Sequence, residues 1–247
     1  MDIIQTLAQQ LNLTAEQVGK TVQLIDEGNT IPFIARYRKE VTGSLADSVL
    51  RTLDEKLTAL RNLAQRKQEV QDLIGAQGKL TEEVRAAIER AATVTEVDDI
   101  YRPFRPKRKT RASVARERGL EDLAILLFAQ EKSYTPSIEE QAARFVDPER
   151  EVPDVAAALQ GAMDIVAEEV SDNADYRREL RRLTFDAGSL TSKAAKEEDS
   201  VYAMYYDFSE PLRKLPGHRI LAINRGEKEE FLKVALTVPE DVVLGYL

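Results

Sequence analysis

A run of basic residues from Tyr101 to Arg118, YRPFRPKRKTRASVARER, holds the side chains with the most distinctive chemistry in this sequence. This basic segment contains eight Lys or Arg residues and a single acid, Glu117, whereas the whole chain has a formal net charge of −8. A concentrated positive strip on an acidic protein attracts polyanions at one place while the rest of the surface repels them. The residue types therefore predict phosphate binding, with nucleic acid as the first candidate partner.

The same cations have a second interpretation that the sequence leaves open. Isolated basic runs often pair with acids of their own chain, and this sequence offers 43 Asp and Glu residues for that role. The candidate nucleic-acid-binding residues of the basic segment are Arg102, Arg105, Lys107, Arg108, Lys109, Arg111 and Arg116.

Prolines and aromatic residues shape the first half of the basic segment. Pro103 and Pro106 bias the residues before them toward extended backbone, so a stiff, exposed strip rather than a helix is predicted. Such a strip suits phosphates and single strands better than it suits base readout in a groove. Tyr101 and Phe104 either stack on bases or, as the favoured interpretation, anchor the segment to the core.

A second basic cluster, formed by Arg36, Arg38 and Lys39, lies in GNTIPFIARYRKEVTG at residues 28–43. Pro32 lies in the first turn of a predicted helix, and this helix brings the three cations together. Charges at helical spacing more often form a solvated or internally paired face, which is the favoured interpretation here. Arg36 and Arg38 are kept as secondary candidates for nucleic-acid contact.

Residues for enzymatic chemistry are few. The chain has no Cys and one His, His218, at a predicted helix start where a capping or packing role is favoured. It contains no GxSxG, Walker A, GxGxxG or HExxH motif. Adjacent acids such as Asp98 and Asp99, or Glu168 and Glu169, point about 100° apart on a helix, so they are expected to coat a surface rather than hold Mg²⁺. We expect no enzyme activity, no cofactor and no metal site.

The elements that position these residues are predicted to be mainly helical, because apolar residues recur at three- and four-residue steps. We predict an elongated multi-helix array with three parts. These are a small helix-turn-helix-like unit over residues 1–43, a helical scaffold with a long spine helix over 44–187, and a mixed α/β junction over 188–247. The lack of Cys, of a long apolar run and of a signal peptide predicts a cytoplasmic protein with no membrane contact.

Several local sequence patterns predict where individual helices and strands lie. Thr14-Ala15-Glu16-Gln17 predicts a capping box, and Ser44-Leu45-Ala46-Asp47 predicts the start of a spine helix of nearly thirty residues. A helix over residues 154–170 is predicted with an apolar stripe on its inner face. The stretch VYAMYYDF is predicted as a strand or a short helix, and a strand is predicted after it over residues 231–238. The stripe comprises Val155, Leu159, Met163, Val166 and Val170.

Several stretches together resemble the N-terminal part of the bacterial Tex family of transcription accessory proteins, relatives of the eukaryotic elongation factor Spt-six. They are EGNTIPFIARYRKEVTG, LRTLDEKLTALRNLAQRKQEV, QGKLTEEVRAAI, TEVDDIYRPFRPKRKTRASVARERGLEDLA and YYDFSEPLRKLPGHRILAINRGEKEEFLKVAL. They occur in the expected order over nearly the whole chain. The family often shows a YLPYKPKRRTR-like run where this chain has IYRPFRPKRKTR, which is a mild departure.

The resemblance implies a helical, non-enzymatic factor linked to transcription and nucleic acid. Family members continue with a ribonuclease-H-like domain, helix-hairpin-helix modules and an OB-fold RNA-binding domain, and this sequence is expected to stop as it leads into the first of these. The family assigns no established chemistry to the matched positions. Those positions are Arg36, Tyr37, Arg38, Tyr101, Pro103, Lys107, Arg108, Arg111 and Arg116.

The expected function is that of the scaffold region of a transcription accessory factor, which contacts RNA or DNA through phosphates without sequence specificity. The alternative is a protein-docking scaffold that contacts RNA polymerase, the ribosome or the missing C-terminal domains of its own chain.

Overall fold

The computed structural model describes residues 2–106, 108–131, 136–196 and 198–247. In these residues the chain is mainly α-helical, with three short strands that form one sheet near the C-terminal end. The predicted fold class, mainly α with a short mixed α/β C-terminal part, is confirmed. The chain divides into two compact units, Met1–Arg105 and Pro106–Leu247, so the boundary falls inside the basic segment.

The first unit is helical. Its elements are α1 (Ile3–Leu11), α2 (Ala15–Asp26), α3 (Ile31–Tyr37), α4 (Lys39–Thr42), α5 (Asp47–Gly75), α6 (Glu82–Arg90) and α7 (Val94–Tyr101), followed by a 3₁₀ turn at Arg102–Phe104.

Helix α5 is the predicted spine of this unit. It has 29 residues and spans about 44 Å at the usual rise of an α-helix. One buried face of α5 contributes in turn to three apolar clusters, through Leu50, then Leu53 and Leu57, then Leu63, Val70 and Ile74. Ile34 of α3 is fully buried in the first cluster, so the spine fixes which face of α3 meets solvent.

The predicted capping box is confirmed, and the spine helix begins within its predicted start stretch but without Ser44 as its cap. At the capping box, the Gln17 N–H donates to Thr14 Oγ1 at 3.1 Å and the Thr14 N–H donates to Gln17 Oε1 at 3.2 Å. The start signal at Ser44 is not used, because α5 begins at Asp47 after an extended Ala46. Ser44 has a φ of 60°, which is incompatible with the extended backbone of an N-cap residue.

The second unit combines helices with the small sheet. Its elements are α8 (Arg111–Glu117), α9 (Glu121–Phe128), α10 (Ile138–Ala142), α11 (Val155–Asp172), α12 (Ala174–Ala187), β1 (Ser189–Ala194), β2 (Asp207–Pro211), α13 (Gly217–Lys228), β3 (Leu232–Thr237) and α14 (Glu240–Leu244). Among the described residues, none of the helices in either unit combines the length and apolar character that a bilayer-spanning segment needs.

The sheet has the antiparallel order β2-β1-β3, with Ser192 of β1 opposite Phe208 and Val234. The predicted C-terminal strand is confirmed as β3. The VYAMYYDF stretch becomes a 3₁₀ turn at Ala203–Tyr205 followed by β2. The central strand β1 has no strong apolar alternation in its sequence, SLTSKA, and was not predicted.

The helical core of the second unit brings α11 against α8 and α9. The predicted inner stripe of α11 is partly wrong, because Met163 is half-exposed and the buried residues are Ala158, Ala162 and Ile165. Small side chains occupy this face because α8 approaches closely at Gly161. A strip of small residues lets two helix backbones come together, which a bulky stripe would prevent.

Candidate nucleic-acid interface

The second basic cluster lies where α3 ends and α4 begins. Ile34 is fully buried against Leu24 and Leu50. Phe33 and Tyr37 lie to one side of this buried face and are exposed to solvent. Residues four apart on a helix are neighbours on its surface, so the two rings meet. They form an exposed ring pair, Phe33 and Tyr37, with centroids 5.2 Å apart and planes tilted by 46°.

Arg38 braces this ring pair. The carbon of its guanidinium lies 5.2 Å from the centroid of the Phe33 ring, within the range of a cation–π contact. Its Nη1 also donates to the backbone oxygen of Tyr37 at 3.1 Å. Arg38 is therefore held beside the rings and is only half-buried.

Arg36 and Lys39 are exposed, and neither forms an ion pair with any residue that the structure describes. Residues 36–40 include one acid, Glu40, which leaves the stretch with a net charge of +2. The favoured interpretation of the sequence was a solvated or internally paired face. The geometry is that of a solvated face, with positive charge that no described acid neutralises directly.

The basic segment begins in the first unit, where Tyr101 ends α7. Tyr101 is only 7% exposed, in the cluster beneath α5, so its ring serves as an anchor. The guanidinium carbons of Arg66 and Arg105 lie 5.8 Å and 5.4 Å from the centroid of this ring. Both arginines also reach Asp98 Oδ1, at 2.7 Å and 3.3 Å. The hydrogen bond to Glu69, followed in size by the one to Asp98, raises the pKa of Arg66. The guanidinium therefore stays charged and paired within this network.

The backbone around the two prolines differs from the sequence expectation at one position. Arg105 is extended as predicted, with φ −64° and ψ 137°, whereas Arg102 is helical, with φ −53° and ψ −44°. Arg102–Phe104 forms a 3₁₀ turn, because Pro103 in the first turn of a helix removes no hydrogen bond. Arg102 is partly buried and engaged in a further interaction within the protein.

In the second unit, the candidates Arg111 and Arg116 lie on α8, beyond the stretch that was predicted to be extended. Arg116 Nη1 donates to Glu168 Oε2 at 2.6 Å, and Arg116 Nε lies 3.8 Å from Glu121 Oε1. Arg111 Nη2 lies 3.6 Å from Asp164 Oδ1. Glu168 and Asp164 are largely buried side chains of α11, so much of the positive charge of α8 is matched inside the unit.

The residues that precede α8 are more open. Lys109 Nζ lies 3.3 Å from Glu117 Oε2, and both side chains are well exposed. Arg108 is exposed and has no partner among the described residues. Lys107 lies outside the described residues. The basic segment therefore contains both internally paired arginines and freely solvated cations.

The remaining residues considered for chemistry have ordinary surroundings. His218 is exposed in the first turn of α13. Asp98 pairs with two arginines, Asp99 is buried and engaged within the protein, and Glu168 accepts hydrogen bonds from Arg116 and Thr110. In the part of the chain that the structure describes, no three His, Asp or Glu side chains are grouped so that they could hold a metal ion.

The exposed ring pair is the feature that sequence reasoning missed. Tyr37 was noted only as a position matched in the resemblance, and Phe33 was not singled out. The signal was present in IPFIARY, where the aromatic residues are four apart and offset from Ile31 and Ile34. On a helix that spacing places the two rings together, to one side of the apolar face.

The chain matches two family models. The model of the Tex-like protein N-terminal domain matches residues 1–75, and the model described as Tex central region-like matches residues 133–243. The second basic cluster lies within the first match, whereas the basic segment lies between the two matches.

Relatives match over nearly the full length of the chain. It is 43% identical over 243 residues to Protein tex of Bordetella pertussis, covering 97% of this chain and 30% of that protein. It is 38% identical over 244 residues to the transcriptional accessory protein Tex of Neisseria gonorrhoeae, covering 98% and 32%. It is 29% identical over 249 residues to human S1 RNA-binding domain-containing protein 1, covering 98% and 25%. The chain spans about a third or less of the length of these relatives.

Proposed function

Because this chain belongs to the Tex family, we propose that it is the N-terminal helical region of a transcription accessory factor and that it contacts nucleic acid through phosphates, without sequence specificity. One relative is named as a transcriptional accessory protein and another as containing an S1 RNA-binding domain, which supports a role near transcription and RNA. The site itself is argued from the charges of this chain.

The observation that carries the proposal is a set of cations that no described acid neutralises. Arg36 and Lys39 have no ion-pair partner among the residues that the structure describes, although the chain has eight more acids than bases. Phosphate oxygens bind exposed Lys and Arg side chains and release counterions as they do so. Contacts of this kind position a nucleic acid but read no bases, which is why no sequence specificity is expected.

The basic segment adds cations of unequal availability. Arg108 has no partner among the described residues, and both sides of the ion pair of Lys109 with Glu117 are well exposed, where such a pair contributes at most about 1 kcal/mol. A phosphate can replace Glu117 at little cost. Arg105, Arg111 and Arg116 pair with less exposed acids, so we assign them a mainly structural role.

A salt series tests this proposal. The whole chain is titrated with labelled single-stranded RNA, single-stranded DNA and duplex DNA, beside two variants. One carries Arg36→Gln, Arg38→Gln and Lys39→Gln, and the other carries Gln at positions 107, 108, 109 and 111. Three neutralised phosphates correspond to a slope of log K against log salt of about −2 on single strands. We expect the first variant to lose a slope of about this size.

The matched control for the first variant is Lys79→Gln with Arg85→Gln and Arg90→Gln, which also removes three positive charges from the same unit, away from α3. If this control weakens binding as much as the α3 variant, general charge rather than a site explains the affinity. Absence of binding by the wild-type chain at low salt would reject the proposal.

A protein-docking function is the second candidate, and one feature favours it. A groove of about 240 Å³ between α9 and α11 is lined by apolar side chains that include Ile125 and Phe128, and Ile125 is 65% exposed. Arg116, Glu121 and Glu169 lie at its rim. Exposed apolar grooves with polar rims are typical of protein interaction sites. RNA polymerase, the ribosome and the remaining domains of the full-length protein are the candidate partners.

We also expect no catalytic role for this region. His218→Ala should leave nucleic-acid binding unchanged, and a divalent-metal-dependent nuclease activity that disappears in this variant would contradict the expectation.

A further inference from the structure

We propose that the exposed ring pair, Phe33 and Tyr37, is a stacking site for the bases of single-stranded nucleic acid, with Arg36 and Lys39 on its phosphates. This inference rests on the proposed function and deepens it, because it names the class of nucleic acid. Phosphate contact alone does not distinguish single strands from duplexes, whereas a ring that stacks on a base face does.

Tyr37 is unusually exposed for a tyrosine on a helix. The residue is 61% exposed, and its hydroxyl has no hydrogen-bond partner among the described residues. Aromatic side chains stabilise a protein most when they are buried, and a tyrosine in a core hydrogen-bonds through its hydroxyl. Tyr37 does neither, although Ile34 on the same helix is fully buried.

Tyr37 is also held in place by neighbouring side chains of the same helix end. Phe33 lies 5.2 Å away, and Arg38 is fixed to both residues through its contact with the Phe33 ring and its hydrogen bond to the Tyr37 carbonyl. A ring supported in this way loses little conformational freedom when a ligand stacks on it, since a tyrosine has only two rotatable side-chain bonds. The geometry therefore favours a preformed contact.

The two rings lie in the same short stretch of chain as exposed cations. Proteins that bind single strands without sequence preference join aromatic side chains, on which bases stack, to positive groups that follow the backbone. Arg36 and Lys39 flank Tyr37 in sequence and are unpaired among the described residues, which provides both parts within residues 33–39. In a duplex the base faces are covered by their neighbours, so only an unpaired base can reach the ring.

Aromatic and Arg side chains also mark protein-binding hot spots, so a protein partner is the competing occupant. The net charge of +2 over residues 36–40, in a chain of net charge −8, favours a polyanion over an ordinary protein surface. The test below makes a protein partner one of its outcomes.

A tryptophan probe gives a direct measure of stacking. The chain contains no Trp, so a Tyr37→Trp variant has a single indole, and base stacking quenches its fluorescence. The matched control is Leu244→Trp, because Leu244 is 67% exposed on the acidic helix α14. We expect oligo(dT) and oligo(U) of about 12 nucleotides, long enough for a typical single-strand site, to quench Trp at position 37 and not at position 244. A matched DNA duplex should quench neither.

Affinity measurements separate stacking from charge. Tyr37→Ala should weaken binding of oligo(dT) by about 5- to 100-fold, the range for loss of one stacked base, with an unchanged salt slope and unchanged duplex affinity. Tyr37→Phe keeps the ring and should bind within about threefold of wild type. The Arg36→Gln, Lys39→Gln variant should instead weaken single strands and duplex alike and flatten the salt dependence.

The outcomes distinguish failure of this inference from failure of the proposed function. If Trp at position 37 is not quenched and Tyr37→Ala binds like wild type, while the cation variant loses affinity, then stacking is rejected and phosphate contact stands. If neither Tyr37→Ala nor the cation variant loses affinity, stacking and phosphate contact are both rejected at residues 33–39, and a protein is left as the occupant of this surface. Equal weakening of duplex and single strand by Tyr37→Ala would show a structural role, which its circular dichroism and unfolding curve would check.

Discussion

Arg108 and Arg116 belong to one basic segment but have opposite surroundings. Arg116 donates to Glu168, a largely buried carboxylate that also accepts from Thr110 Oγ1 at 3.0 Å, whereas Arg108 is solvated. Removing one member of a partly buried charge pair leaves the other charge poorly solvated. A count of basic residues therefore treats as equal two arginines whose roles differ physically.

The two arginines should separate stability from binding. We predict that Arg116→Gln lowers the free energy of unfolding by about 1–3 kcal/mol, the range for hydrogen bonds to charged groups, while Arg108→Gln changes it by less than about 0.5 kcal/mol. Calorimetric unfolding of the whole chain measures both, and it resolves the two units if they melt separately. Equal effects of the two substitutions would contradict the assignment.

Asp26 and Arg61 offer a test of pH dependence at a single ion pair. Arg61 donates to both carboxylate oxygens of Asp26, at 2.7 Å and 2.8 Å, and these hydrogen bonds hold the pKa of Asp26 below its ordinary value. A lowered pKa in the folded state stabilises the fold above the unfolded pKa, and this contribution is lost as the pH falls through the folded value.

We predict that Asp26→Asn costs less than about 1 kcal/mol at pH 7, because both side chains are about half-exposed and such pairs are screened. The difference from wild type should shrink as the pH falls below about 4, near the ordinary pKa of Asp. Thermal unfolding of both proteins between pH 7 and the acid limit of folding measures this. A difference that grows on acidification would have the wrong sign.

At the scale of elements, the packing of α11 against α8 and against Leu120, at the start of α9, depends on a glycine. A Cβ added at Gly161 would lie 2.3 Å from Leu120 Cδ1 and 3.4 Å from Ala115 Cβ, and Leu120 is buried with little room to move. We predict that Gly161→Ala destabilises the second unit by about 1–3 kcal/mol through overpacking, although alanine is the better helix former.

Gly19 in α2 is the matched control for this prediction. Nothing lies within 4 Å of a Cβ added there, so Gly19→Ala should stabilise the protein by up to about 1 kcal/mol, the difference in helix propensity. Unfolding of both variants measures the two signs. If Gly161→Ala also stabilises, the close approach of the two helices is not as the structure has it.

The elements that could be predicted from the sequence are those determined by interactions between neighbouring residues. The capping box at Thr14 and the 29-residue spine were predictable, because capping and apolar periodicity are properties of nearby residues. The buried face of α11 was not, because the small residues around Gly161 are selected by a helix about 45 residues distant in the chain. The pairing of Arg116 with α11 was unpredictable for the same reason.

The candidate site, too, could be predicted only in part from the sequence. The basic residues could be found from composition, but which of them remain unpaired depends on acids brought close by the fold. Arg36 and Arg38 were ranked below the basic segment, since charge runs on helices are common. The structure changes the ranking by placing Asp164 and Glu168 against α8 and no described acid against Arg36.

At the scale of the whole molecule, the two units carry different charge. Residues 1–105 contain 14 Lys or Arg and 16 Asp or Glu, a net charge of −2, whereas residues 106–247 carry −6. The second basic cluster and the apolar contacts that position α3 all lie within the first unit. The second unit therefore contributes most of the net negative charge of the chain, and net negative charge repels a polyanion.

A fragment of residues 1–105 should therefore bind single strands at least as well as the whole chain. We predict that it folds, because its clusters close on themselves along α5, and that its affinity for oligo(dT) at low salt equals or exceeds that of residues 1–247. Any gain should disappear near 1 M salt, where the Debye length is about 3 Å. Titration of both proteins over the same salt series measures this, with circular dichroism to establish that the fragment is helical. If the folded fragment lost binding, cations of the second unit such as Arg108 would be the principal contact instead, and the second basic cluster would be an accessory one.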